Sequence, residues 1–77
     1  MTYTFQIRAA RSLVGLSQPD VAKAAGVSIS TLKRAEGTIQ PMASKDAMAS
    51  IQAALEAAGV EFIAPNGGGA GVRLRKP

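Results

Sequence analysis

Residues 17–36 read SQPDVAKAAGVSISTLKRAE, two short helical patterns that meet at a single glycine. Ser17 is a good N-cap, because its hydroxyl can accept one of the backbone N–H groups left without a partner in a first helical turn. Pro19 is tolerated in that first turn, where its missing donor has no intrahelical acceptor, and Asp20 complements the positive end of the helix. The first helix therefore starts at Gln18 and turns Val21, Ala22 and Ala25 inward. It ends at Gly26, which can take the left-handed conformation needed to reverse the chain. Val27 anchors the turn, and Ser28 is a second N-cap, opening a helix from Ile29 to about Glu36. At roughly 100° per residue, Leu32 and Ala35 fall on one face of that helix, with Ser30, Lys33 and Arg34 on the other. The outward face is polar and basic. The small side chains of Ala22 and Ala25 let the two helices cross closely.

Upstream, Thr4 reads as the N-cap of FQIRAARSLVG. This places Ile7, Ala10, Leu13 and Val14 at helical spacing, turns Gln6, Arg8 and Ser12 elsewhere, and ends at Gly15. Leu16 stands where an apolar residue staples the following helix. Downstream, GTIQPMA (37–43) is a loop by its glycine and proline. Ser44 caps KDAMASIQAALEAA, with Asp46 in the first turn and Met48, Ile51, Leu55 and Ala58 on one stripe before Gly59. After residue 59 the pattern changes to VEFI, APNGGGAG and VRLR, two β-type runs around a glycine-rich connection. The expected fold is mainly α: a small four-helix domain over residues 1–59, then a C-terminal β-hairpin and basic tail over 60–77. An isolated hairpin is marginal in water, so this one must pack on the helices or pair with another copy. Alternation puts Val60, Phe62, Val72 and Leu74 on buried faces, which makes them the dimerisation candidates, and points Arg73 and Arg75 outward. Those arginines and Lys76 are candidates for flanking phosphates or for a solvated edge that resists aggregation.

Inventory removes several classes of function. The 77 residues contain no cysteine and no histidine, which excludes disulfides, zinc held by nitrogen or sulfur, and Ser-His-Asp or Cys-His chemistry. The acids Asp20, Glu36, Asp46, Glu56 and Glu61 are scattered, and no convergent acid-base or nucleophile pair is visible, so no enzyme is expected. Gly67, Gly68, Gly69 and Gly71 lack the GKS or GKT of a phosphate-binding loop. No metal, cofactor or small-molecule ligand is expected. No apolar run reaches the roughly 18 residues of a membrane span, and the first residues lack a signal-peptide pattern, which predicts a soluble cytoplasmic protein. Nine Lys and Arg against five Asp and Glu leave a charge of +4, which favours a polyanionic partner. At this length a single core is marginal, and a homodimer is expected.

Laid out in this way, residues 5–58 resemble the helix-turn-helix domains of the Cro and phage-repressor type, the XRE family, most closely over LSQPDVAKAAGVSISTLKRAEG. Gln18 opens the motif, Ala22 permits the crossing, Gly26 makes the turn, and Val21, Val27, Leu32 and Ala35 fill the core. The resemblance implies a lambda-repressor-like fold whose second motif helix enters the DNA major groove. Its base-reading positions fall on Ile29, Ser30, Lys33 and Arg34. Arg34 suits the acceptors of guanine, Ser30 donates or accepts, and Ile29 suits a thymine methyl. The competing roles are phosphate or solvent for Lys33, an acid partner for Arg34, and cover of the helix junction for Ile29. By the same resemblance Gln18 binds phosphate at the start of its helix, helped by Ser17, Ser28 and Thr31, and for the serines capping is the competing role. Arg11 and Glu36 match positions of an ion pair that supports the fold. The chain departs from the family pattern at Ile29, where polar residues are common, at the small Ala35, and at Gly37-Thr38 in place of Asn-Gly.

The resulting expectation is a sequence-specific transcriptional regulator that binds double-stranded DNA as a dimer on a palindromic operator. Repression is the simplest mechanism, and a contact with RNA polymerase would allow activation. The alternative is a protein-interaction module, antitoxin-like or an adaptor, in which DNA binding is secondary. Ile29 on the outer face and the unusual tail keep that alternative open.

Overall fold

The computed structural model describes residues 2–75. Four helices, α1 (Thr4–Val14), α2 (Gln18–Ala25), α3 (Ile29–Ala35) and α4 (Lys45–Ala57), precede strands β1 (Val60–Ile63) and β2 (Gly71–Leu74). The expected mainly α architecture with a C-terminal hairpin is the one observed. Ser17, Ser28 and Ser44 each accept a backbone N–H three residues ahead, from Asp20, Thr31 and Ala47, and so open α2, α3 and α4 as their sequences require. Gly26 sits at φ 70°, and its own N–H reaches the carbonyls of Ala22 and Lys23. A side chain at that φ would strain the turn between α2 and α3.

One core joins all four helices to the hairpin. Ile7, Ala10, Val21, Ala22, Leu32, Ala35, Met48, Ile51, Leu55 and Val60 are buried together, with Phe62 and Val72 packed against them. Of the two options open to the hairpin, packing on its own helices is therefore realised. The strands pair antiparallel with Val60 opposite Leu74, Glu61 opposite Arg73, Phe62 opposite Val72 and Ile63 opposite Gly71.

Several details differ from the sequence reading. Tyr3, not Thr4, is the N-cap of α1; its extended backbone donates its N–H to Gln6 Oε1 at 2.9 Å. Leu13 is 42% exposed, off the line through Ile7, Ala10 and Val14. Ala58 is exposed as the C-cap of α4, one residue beyond the helix.

Gln6 itself is buried, where the pattern had turned it away from the core. Its Nε2 donates to the carbonyls of Ile63 (3.3 Å) and Gly71 (3.0 Å), one on each strand, so a single amide ties the start of α1 to the hairpin. The outward arginines are engaged too. Arg73 Nε meets Glu61 Oε1 at 2.7 Å, and Arg75 Nη2 reaches the carbonyl of Glu56 at 3.2 Å, at the end of α4. Lys76 lies outside the described residues.

Candidate nucleic-acid interface

The interface is built from α3 and the start of α2. Two short helices can present a stable outer surface only if their inner sides are fully used, and here they are. Leu32 and Ala35 of α3 are completely buried, as are Val21 and Ala22 of α2 to within a few per cent. What remains outside is the face that the helical period predicted. Ile29 (43% exposed) and Ser30 stand in solvent, and Lys33 and Arg34 are half-exposed on the same side. None of the four is packed into the interior. Arg34 lies closer to the protein surface than its three neighbours suggest, for its Nε is covered and finds no hydrogen-bond partner among the described residues. A covered donor without a partner is rare in native proteins.

The phosphate candidates divide by what already holds them. Ser17 Oγ accepts from Asp20 N–H at 3.1 Å, while Asp20 Oδ2 accepts from Ser17 N–H at 3.1 Å, a reciprocal capping box. The Ser17 backbone N–H first, and its hydroxyl second, favour the Asp20 carboxylate and hold that carboxyl below its ordinary range. Ser28 Oγ accepts from Thr31 N–H at 3.0 Å and lies 2.9 Å from Thr31 Oγ1. Both serines are thus structural caps in the free protein, and their hydroxyls stay at the exposed ends of the two motif helices.

Gln18 sits at the start of α2, half-buried. Its Nε2 donates to Glu36 Oε1 at 3.1 Å. Glu36 in turn receives Arg11 Nε at 2.6 Å and Arg11 Nη2 at 3.3 Å, and Arg11 Nη1 donates to the carbonyl of Leu16 at 3.2 Å. The Glu36 side chain is 1% exposed and that of Arg11 25%. One buried carboxylate therefore links α1, the first residue of α2 and the end of α3. The pairing of Arg11 with Glu36 follows from the family positions. The third member, Gln18, and the staple at Gln6 were not anticipated. Gln6 carries a local signal, since a glutamine three residues after the N-cap Tyr3 stands at a capping-box position.

The remaining candidates belong to the hairpin. Val60 is fully buried, Phe62 and Val72 are half-buried against the core, and Leu74 is 54% exposed. Three of the four dimerisation candidates are therefore engaged inside the monomer. Among the described residues no three acidic side chains gather as a metal site would require, and no helix is long and apolar enough to cross a membrane.

A family model described as a helix-turn-helix domain matches residues 4–62, which span α1 to α4 and most of β1. The chain belongs to the helix-turn-helix domain family. No curated protein sequence matches it. As a member of that family, the helix-turn-helix domain is a DNA-binding domain of the regulator type, and α2 and α3 are its motif helices.

Proposed function

We propose that this helix-turn-helix domain is a sequence-specific transcriptional regulator. It acts as a dimer on a two-fold operator with half-sites about one helical turn apart. It represses by occupying promoter DNA, in the cytoplasm, and RNA polymerase is the partner through which activation would arise. The observation that carries the reading is the outer face of α3, where Ile29 and Ser30 are exposed and Lys33 and Arg34 half-exposed beside the capped start of α2. In this reading those four side chains meet base edges, and Gln18, Ser17, Ser28 and Thr31 meet phosphates at the helix starts. The reading assigns no catalytic step and no cofactor.

Selection of bound sequences from a random DNA pool, together with solution mass, tests the proposal. A palindromic site and a dimeric mass are expected. Arg34→Ala relaxes base choice at one position of each half-site, whereas Gln18→Ala weakens all sites evenly. A protein that enriches no sequence from the pool would end the regulator reading and leave the protein-interaction alternative in its place.

A further inference from the structure

Three of the seven large apolar side chains exposed among the described residues, Tyr3, Phe5 and Met42, gather where the first turn of α1, the loop before α4 and the first half of α4 enclose an open groove. Tyr3, Phe5, Met42, Met48, Ala49 and Gln52 line it. Tyr3 is 36% exposed, Phe5 49% and Met42 56%. The Tyr3 and Phe5 rings stack nearly parallel, with centroids 5.3 Å apart, so two of the chain's three aromatic side chains stand at this rim instead of in the core. Aromatic and methionine side chains are what the centres of protein interfaces are enriched in. On the outer face of α4, Ser50, Ala53 and Ala57 are exposed. No charged residue occurs between Asp46 and Glu56, although the solvent face of a helix ordinarily carries charge.

Charge selects the occupant. At roughly 100° per residue, Lys45, Ala49, Gln52 and Glu56 follow one another along a single edge of α4. The cation and the acid at its ends are separated by roughly 16 Å at the helical rise. Such an edge complements a copy of itself running the opposite way. Lys45 then faces Glu56 of the second copy, Ala49 faces Gln52 of the second copy, and each contact forms twice. The antiparallel helix dipoles are favourable as well. Among the described residues the ion pairs are Arg11–Glu36 and Arg73–Glu61, so neither Lys45 nor Glu56 has an ionic partner in the monomer. The Glu56 carboxylate meets the Gln52 amide at 3.3 Å.

We infer that a second copy of this chain docks here, α4 antiparallel to α4, with Tyr3, Phe5 and Met42 closing over the partner's helix. A stable interface takes about 800 Å² from each partner, more than one face of a helix about 20 Å long supplies, so the aromatic rim is part of it. The inference rests on the dimeric reading proposed above and assigns its surface to α4 and the first turn of α1 instead of the hairpin.

Sedimentation equilibrium of the full chain tests it with Lys45→Glu, Glu56→Lys, the double exchange and Phe5→Glu. Each charge reversal places an acid at the start of α4 or a base at its end, which suits the helix dipole, so the monomer keeps its fold; thermal melting checks this. Each single reversal is expected to raise the dimer dissociation constant about tenfold, and the double exchange to return it close to wild type. Phe5→Glu weakens association whatever the charges at 45 and 56. A dimer indifferent to all four variants would overturn this interface and leave the dimeric regulator standing. A wild-type chain that stays monomeric at every concentration and on DNA would sink the dimeric reading itself.

Discussion

Among single residues, Glu36 has the most consequences, because three other parts of the chain depend on where its carboxylate sits. Its side chain is 1% exposed and that of Arg11 25%, so the two halves of the pair respond differently to loss of the other. Arg11→Ala strands a buried anion and is expected to cost about 3–5 kcal/mol at neutral pH. Glu36→Gln costs less, since the amide oxygen still accepts from Arg11 and the remaining cation is open enough to regain water. Urea denaturation of both variants gives the order, and the reverse order would mean that burial does not govern the pair. Gln6 is the second such residue. Gln6→Ala removes the acceptor for Tyr3 N–H and the donor shared by Ile63 and Gly71, and is expected to cost about 2–3 kcal/mol. The loss should appear as faster hydrogen exchange at hairpin amides before any change in those of α2.

For the helices, capping chemistry carries a pH dependence whose sign is fixed. Ser17 holds the Asp20 carboxyl below its ordinary 3.8, so the folded state favours the carboxylate. A depressed acid gives stability that is present above the unfolded value and is lost as pH falls through the lower folded value. Glu61, held below 4.5 by its hydrogen bond to Arg73, acts in the same sense on the hairpin. Thermal melts should therefore lose stability on acidification below those ordinary values, and Asp20→Asn should flatten part of that loss without altering the melt near pH 7 beyond the loss of one cap. A variant as acid-sensitive as wild type would remove the capping box from the account. These caps are also why the helices were legible. Ser17, Ser28 and Ser44, followed by apolar residues at helical spacing, state each start in local chemistry that needs no tertiary information. Long-range contacts carry no such mark. Nothing local tells that Gln6 reaches two strands more than fifty residues away, or that Gln18 leans on Glu36. The outward position of Ser30 and Lys33 was readable because a helix buried on one side leaves its other side predictable. The covered Nε of Arg34 was not readable, since it depends on how one long side chain lies back on its own surface.

The whole molecule meets DNA with a net charge of +4, and the salt dependence of binding separates its charged contacts from its neutral ones. Counterions leave the duplex only where a cation replaces them, so the logarithmic slope counts the lysines and arginines at phosphates, at about 0.9 for each. Gln18 is neutral. If its amide, held by Glu36, meets a phosphate, Gln18→Ala lowers affinity at every salt concentration and leaves the slope unchanged. Lys33 stands on the outer face of α3 with two possible targets, and the same measurement tells them apart. Contact with phosphate makes the Lys33→Ala slope shallower by about 0.9 per subunit with no change in preferred sequence. Contact with a base edge also changes the preferred sequence at one position of each half-site. Titration of wild type, Gln18→Ala and Lys33→Ala between low and moderate salt, on the selected site and on one scrambled copy, resolves the outcomes. A Gln18 variant whose slope falls as far as that of the Lys33 variant would mean that the substitution has moved the basic face itself, and that the link through Glu36 positions α3 instead of presenting an amide to the backbone.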